Sequence, residues 1–128
     1  MTIGYITLGQ RDVEAALPFY DAALGAIGYG RGPLDGGWAF YGKGDAPGVG
    51  LCKPFDGQEA RAGNGVMIGF KADNRDQVQA AHAAALAQGG TDEGAPGFRP
   101  PEATSGFYGA YMRDATGNKL CVFTTVEA

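Results

Sequence analysis

The feature that most constrains this 128-residue chain is a pattern that occurs twice. From Tyr5, an alternating segment leads through Arg-Asp-Val to a helical apolar stripe, and from Met67 the same order recurs with Arg-Asp-Gln-Val. Each copy later reaches a Gly-x-x-Leu-Cys segment, which ends at Cys52 in the first copy and at Cys121 in the second. A duplicated strand–helix–strands unit predicts a pocket between two similar halves, with Tyr5 matched to Met67 and Cys52 to Cys121.

The start of each copy is predicted to be a strand with two chemically different faces. In the first copy, Ile6 and Leu8 alternate with Tyr5 and Thr7, which is the period-two pattern of a strand. Asp12 is placed to cap the helix that follows, and the apolar stripe of that helix is expected to pack on the Ile6/Leu8 face. The opposite face, with Tyr5, is therefore expected to line a cavity.

The C-terminal part is predicted to contain a β-hairpin around residues 114–118. If its turn is symmetric about Thr116, Tyr111 pairs with Cys121, and Phe107 shares their face. The preceding segment, 89–106, is rich in Gly and Pro and has two interpretations. It is either a long functional loop or an irregular edge strand around Thr91 to Ala95 with surface turns.

Composition and charge exclude several classes of partner. The net charge is −4, from 10 basic and 14 acidic residues without a basic cluster, so a nucleic-acid partner is not expected. The chain has no signal-peptide pattern and no apolar run of the roughly 20 residues that span a bilayer, so no membrane partner is expected either. Two cysteines in strand-like segments give no disulfide framework. These features predict a cytoplasmic protein.

Two groups of motifs resemble a known family. The doubled β-α-β-β-β pattern, with Arg-Asp-Val before Phe-Tyr-Asp-Ala-Ala-Leu-Gly, resembles the vicinal oxygen chelate superfamily of glyoxalases, bleomycin-resistance proteins and extradiol dioxygenases. The segments 94–100, 107–114 and 117–119 are similar to its glyoxalase-like branch.

The resemblance implies both a fold and an assembly. The implied fold class is α+β: two tandem β-α-β-β-β modules forming a curled mixed sheet around a shared cavity. Residues 1–128 would form one glyoxalase-like domain, with module one at about 1–56 and module two at about 65–128. Small members of this family are commonly homodimers with pockets at or near the interface, so a homodimer is expected.

The resemblance also locates the positions at which catalytic members of the family hold a divalent metal, usually through His, Gln or Glu. Those positions are occupied here by Tyr5, Cys52, Met67 and Cys121. The only histidine of the chain, His82, lies in a predicted helix. An iron site with two His and one carboxylate, or a glyoxalase site with a metal and a carboxylate base, therefore lacks its residues. No metal and no cofactor are expected.

Several of these residues have two interpretations. The two Cys, the Met and the Tyr would either form a soft Cu(I) site or line an apolar cavity. A nucleophilic cysteine needs a base or a positive charge beside it, and His82 is expected to be a solvated residue or a helix–turn contact instead. Tyr5 would donate to a ligand oxygen or be a buried ring. Arg99 would bind a ligand carboxylate or be a solvated surface residue.

The sequence thus predicts a ligand pocket formed by Tyr5, Cys52, Met67, Cys121, Tyr111, Phe107 and Arg99. An aromatic pocket suits a flat organic ligand. The predicted function is metal-independent binding of a small, partly aromatic organic molecule by a protein of the glyoxalase/bleomycin-resistance type. The alternatives are a lyase- or isomerase-type enzyme with a lactoylglutathione lyase-like fold that acts on a small metabolite, and an accessory subunit with a collapsed pocket.

Overall fold

The computed structural model describes residues 2–128. The chain folds into two copies of one unit, and each copy consists of a four-stranded sheet and one helix. The first copy contains β1 (Tyr5–Gly9), α1 (Val13–Gly25), β2 (Gly30–Arg31), β3 (Ala39–Gly42) and β4 (Gly48–Cys52). The second copy contains β5 (Met67–Lys71), α2 (Arg75–Ala87), β6 (Thr91–Phe98), β7 (Gly106–Arg113) and β8 (Lys119–Val126). The predicted α+β class with two tandem modules is confirmed.

The two sheets have the same topology. Their strand orders are β1-β4-β3-β2 and β5-β8-β7-β6. In each sheet the first strand pairs in parallel with the last, and the other neighbours are antiparallel. Two parallel strands need a crossover connection, which here includes the helix. The helix of each copy therefore covers one face of its sheet and leaves the other face open.

Each helix begins at a side-chain cap, and for α1 this is the Asp12 cap that the sequence predicts. The Asp12 side chain accepts the Ala15 N–H at 3.1 Å, and Asn74 accepts the Gln77 N–H at 2.9 Å. The Gln77 side chain in turn accepts the Asp73 N–H at 2.8 Å, close to a capping box. Within residues 2–128, neither helix has the length and apolar character needed to cross a membrane.

The two copies share one hydrophobic core. The largest fully buried apolar side chains come from both helices and both sheets: Tyr20, Leu24, Ile27, Tyr41, Val49, Leu51, Val78, Met112 and Leu120. The helices contact each other, and the Tyr29 ring meets the Phe70 ring edge-on at 5.9 Å between centroids. Because the covered face of each sheet points into this common core, the opposite faces point outward.

A buried aspartate in the β7–β8 turn ties the second copy to the first. The Tyr20 hydroxyl of α1 donates to Asp114 Oδ2 at 2.6 Å, and Gln10 Nε2 donates to the same oxygen at 2.9 Å. Asn118 Nδ2 donates to the Gly9 carbonyl at 2.9 Å. These bonds join the hairpin to the C-terminal end of β1, and thereby help to fix how the two sheets are arranged.

The first half of the segment 89–106 forms a strand, β6 (Thr91–Phe98). β6 pairs with the outer edge of β7, with register shifts on both sides of Gly94. The edge-strand interpretation is therefore confirmed, and the strand continues beyond Ala95 to Phe98. The long-loop interpretation is wrong, because pairing with β7 supplies hydrogen-bond partners that a loop would have to find in water.

Candidate functional site

The open face of the first sheet carries a platform of exposed aromatic rings. We call this surface, formed by Tyr5, Thr7, Trp38, Phe40 and Cys52, the first face. The rings of Trp38 and Phe40 are nearly parallel, with an interplanar angle of 10° and centroids 5.9 Å apart. Tyr5 meets Phe40 edge-on at 5.7 Å. All three rings are exposed, at 61% for Tyr5, 37% for Trp38 and 40% for Phe40.

A glycine allows these rings to lie flat against the sheet. Gly50 pairs with Phe40 across β3 and β4. A Cβ atom at Gly50 would lie 3.0 Å from Trp38 Cζ3 and 3.4 Å from the Phe40 ring, closer than ordinary contact allows for the indole. The absence of a side chain at Gly50 therefore gives the first face its flat aromatic surface.

The open face of the second sheet combines aromatic rings with basic residues. We call this surface, formed by Met67, Phe107, Tyr111, Lys119, Cys121 and Phe123, the second face. Tyr111 pairs with Cys121, as predicted, and alternation places Phe107 on the same side of β7. Phe107 stacks on Phe123 with centroids 5.4 Å apart and an interplanar angle of 12°.

Two positive charges lie against one ring of the second face. The Arg99 guanidinium carbon is 5.5 Å from the centre of the Tyr111 ring, and Lys119 Nζ is 5.6 Å from it. Arg99 also donates from Nη2 to the Ala95 carbonyl at 2.9 Å and from Nη1 to the Phe98 carbonyl at 3.2 Å. Arg99 is half-buried, so it is an ordered part of this face and differs from a freely solvated arginine.

The thiols on both faces favour their protonated form. Burial raises the pKa of Cys121, which is only 2% exposed, and the neighbouring Tyr111, Arg99 and Lys119 oppose that rise only in part. Burial also raises the pKa of Cys52. Because the thiolate is the nucleophilic form, these environments do not activate either cysteine.

His82 does not serve either thiol. It lies on α2, which packs on the covered side of the second sheet, whereas Cys121 belongs to the open side. Its Nε2 atom is 3.0 Å from Asp92 Oδ1 at the start of β6, and the side chain is buried. The expectation of a solvated histidine is wrong, and the contact with the residues after the helix is the correct alternative.

The two copies match at the start of their first strands. Tyr5 and Met67 each begin the strand that leads into a helix cap, at the same distance along the chain. Tyr5 is aligned with Gly48 on β4, and Met67 is aligned with Lys119 on β8. Gly48 and Lys119 are therefore equivalent positions of the two sheets.

This register corrects the predicted match between the cysteines. Two residues beyond Gly48 and Lys119 lie Gly50 and Cys121, which makes Gly50 the structural counterpart of Cys121. Cys52 corresponds instead to Phe123. The shared Gly-x-x-Leu-Cys letters are thus offset by two residues between the sheets, although both cysteines lie on open faces.

The predicted pocket residues separate into two groups within one chain. Tyr5 and Cys52 lie on the first face, whereas the second face or its rim holds Met67, Cys121, Tyr111, Phe107 and Arg99. A cleft of about 400 Å³ between β1 and β5 is lined by Met67 together with Ile3, Ile6 and Tyr29. Tyr5 and both cysteines lie outside the lining of this cleft, so the cleft does not unite the predicted residues.

The donor atoms of these residues do not fit a catalytic divalent metal. In residues 2–128, no three His, Cys, Asp or Glu side chains are grouped closely enough to hold a metal ion. Tyr5 and Met67 offer a phenol and a thioether, and both cysteine pKa values are raised. Zinc, iron and nickel are commonly bound by imidazole, and magnesium and manganese by carboxylate or carbonyl oxygen, and the four side chains supply none of these groups.

Sequence reasoning missed two members of the second face. Lys119 and Phe123 flank Cys121 at two-residue spacing in β8 and share its face. The period-two alternation of the strand was sufficient to find both of them. No sequence pattern indicated that Trp38 stacks on Phe40, because the stacking depends on Gly50 in the neighbouring strand.

Comparison with known proteins gives consistent matches over nearly the whole chain. Residues 2–122 match the family described as the Glyoxalase/Bleomycin resistance protein/Dioxygenase superfamily. A glyoxalase/bleomycin resistance protein from Albidiferax ferrireducens has a similar structure, with 38% identity, a TM-score of 0.87 and coverage of 97% of this chain and 98% of that one. No curated protein shows a significant match.

More distant structures share the fold. A glyoxalase-related enzyme from Fulvimarina pelagi is 20% identical, with a TM-score of 0.74 and coverage of 97% of this chain and 88% of that one. A glyoxalase/bleomycin resistance protein/dioxygenase family enzyme from Burkholderia phytofirmans is 18% identical, with a TM-score of 0.73 and coverage of 96% and 98%.

Proposed function

Because this chain belongs to the Glyoxalase/Bleomycin resistance protein/Dioxygenase superfamily, we propose that it binds a small, partly aromatic organic molecule without using a metal. The observation that carries this proposal is a nearly parallel aromatic pair on each open face, the exposed pair Trp38/Phe40 and the half-buried pair Phe107/Phe123. Stacking of aromatic rings contributes about 0.5–1.5 kcal/mol per pair beyond burial of area. A flat ligand ring is therefore the kind of molecule that these surfaces favour.

The second part of the proposal is that two copies of the chain complete the binding chamber. The open faces expose large apolar side chains that include Tyr5 at 61% and Met67 at 44%. On the first face, exposed Tyr5, Phe40 and Trp38 adjoin one another, and adjoining exposed apolar groups of this kind mark an interaction site. In a two-fold dimer, the first face of one protomer would lie opposite the second face of its partner, and symmetry would repeat that chamber. The residues that one chain separates would then meet across the interface.

The raised thiol pKa values favour binding over catalysis. A lyase or isomerase that used Cys121 would need a thiolate, whereas burial favours the thiol. The same property weakens a soft-metal site, because the thiolate is the metal-binding form. The exposure of Trp38, Phe40 and Met67 also disfavours an accessory subunit with a collapsed pocket.

Binding is best tested through Trp38, the only tryptophan of the chain. We expect the purified protein to be a dimer by light scattering and to change its tryptophan emission on titration with 2-naphthol. Phe40→Ala should weaken that binding about tenfold, since it removes the ring on which Trp38 stacks. Phe55→Ala is the matched control, because Phe55 is fully exposed in the connection between the copies.

Four outcomes would contradict this function. If no aromatic compound of any charge binds, or if Phe55→Ala weakens binding as much as Phe40→Ala, the aromatic faces are not the site. Stoichiometric zinc, nickel, iron or copper that raises the Tm would overturn the metal-free proposal. Turnover of a bound compound would favour the lyase- or isomerase-type alternative.

A further inference from the structure

The second face holds an arginine whose position is set by the backbone around it. Two of the five N–H groups of Arg99 donate to the Ala95 and Phe98 carbonyls. The guanidinium lies over Gly94 and Gly97, where added Cβ atoms would be 3.3 Å from Nη2 and 3.1 Å from Nη1. The irregular, glycine-containing edge strand therefore makes room for this side chain and holds it, with three N–H groups left to donate.

Arg99 forms no ion pair with a carboxylate of residues 2–128. The ion pairs of residues 2–128 include neither Arg99 nor Lys119, although both lie within 6 Å of the centre of the same Tyr111 ring. The nearby Arg113 differs, because its Nε is 2.6 Å from Glu93 Oε1. Tyr111 is thus flanked by two basic groups, neither of which forms an ion pair with a carboxylate in the described part of the chain.

An apolar aromatic site adjoins this positive charge. Gly109 is two residues from Tyr111 along β7, about 7 Å at roughly 3.3 Å per residue. Phe123 pairs with Gly109, and Phe107 lies over it, because a Cβ atom there would be 2.7 Å from the Phe107 ring. The second face therefore has a cationic end at Tyr111 and an aromatic end at Gly109.

We propose that the ligand is an aromatic carboxylate, with its carboxylate held by Arg99 and Lys119 above Tyr111 and its ring against Phe107 and Phe123. This inference rests on the proposed binding function and names the class of ligand. A carboxylate accepts two parallel N–H bonds from a guanidinium, which the free donors of Arg99 can supply. The distance of about 7 Å fits a ring that is joined to its carboxylate by a short chain.

The test compares two probes of the same shape, 3-phenylpropanoate and 3-phenylpropanamide, by isothermal titration calorimetry. We expect the native protein to bind the acid at least tenfold more tightly than the amide, because a hydrogen bond to a charged group is stronger than a neutral one. Arg99→Gln and Lys119→Gln should each reduce this preference, and the double variant should abolish it. Arg61→Gln, a matched exchange at an exposed site between the copies, should leave the preference unchanged.

The variants also separate binding from folding. Lys119→Gln does not alter the edge strand, so its effect remains informative if Arg99→Gln lowers the Tm. Equal affinity of the native protein for acid and amide, or an unchanged preference in the double variant, would overturn the carboxylate site. Binding of 2-naphthol but not of the acid would overturn this inference alone. Failure of all aromatic probes would overturn both this inference and the proposed function.

Discussion

Replacing Asp114 with alanine should destabilise the protein far more than replacing a surface aspartate. Asp114 is 4% exposed, and its Oδ2 atom accepts hydrogen bonds from Tyr20 and Gln10. Its Oδ1 accepts the backbone N–H groups of Gly117 and Asn118 at 2.8 and 2.9 Å. One side chain thus organises the β7–β8 turn and joins it to the first copy.

The expected cost follows from the donors that lose their partner. Asp114→Ala leaves the Tyr20 hydroxyl and the Gln10 amide short of an acceptor, at about 1–3 kcal/mol for each buried donor. Loss of the two turn bonds adds about 1 kcal/mol. Relief of the cost of burying a carboxylate offsets part of this sum. We therefore expect the free energy of unfolding to fall by about 4 kcal/mol.

The assay is urea unfolding followed by Trp38 fluorescence and circular dichroism, with all variants at the same protein concentration because association contributes to stability. Asp45→Ala is the matched control, since Asp45 is an exposed residue in the corresponding turn of the first copy. It should change the free energy of unfolding by no more than about 0.5 kcal/mol.

Tyr20→Phe tests whether the cost arises from the bond between the copies. Alone it should destabilise the protein by about 1–2 kcal/mol, because it removes the hydroxyl that donates to Asp114 at 2.6 Å. In the Asp114→Ala background it should cost clearly less, since the partner is already gone. Equal costs in both backgrounds, or an Asp114→Ala cost as small as that of Asp45→Ala, would refute the reasoning.

Two further predictions concern the first copy. Gly50→Ala should shift the Trp38 emission and weaken 2-naphthol binding several-fold, because the new Cβ atom would lie 3.0 Å from the indole. The Tm should change little, since the exposed indole is able to move away. Unchanged emission would show that the position of the indole does not depend on this glycine. Burial alone would raise the pKa of Asp21, but hydrogen bonds from Arg31 and Tyr41 outweigh it and lower that pKa. Its stabilising contribution is therefore present at neutral pH and lost as the pH falls through the folded-state pKa. Asp21→Asn should make the Tm less sensitive to acid between pH 7 and pH 3, and an identical Tm profile in both proteins would contradict this.

Much of the fold was predictable because it depends on local rules. Asp12 and Asn74 identify the helix starts through their side-chain caps, and alternation identifies the faces of the strands. The symmetric turn about Thr116 was enough to pair Tyr111 with Cys121. Each of these features is specified by residues that are close together in the chain.

The match between the cysteines failed for a reason that is general for strands. Successive side chains alternate between faces, so a shift of two residues returns each side chain to the same face. The faces assigned to the side chains are therefore the same whether Cys121 is aligned with Cys52, as predicted, or with Gly50, as observed. Only the hydrogen-bonded register, which pairs Gly9 with Cys52 and Gly69 with Cys121, shows the offset.

The sequence by itself determined the duplicated architecture, the helix caps and the presence of a single histidine. The tertiary structure decided which faces are open, because the helices of both copies share one core and Asp114 ties the second hairpin to the first copy. It also decided that Arg99 is ordered beside Tyr111, since that position depends on glycines and carbonyls of an irregular strand. Local patterns specify which side of a strand a residue occupies, whereas the packing of distant segments specifies what that side faces.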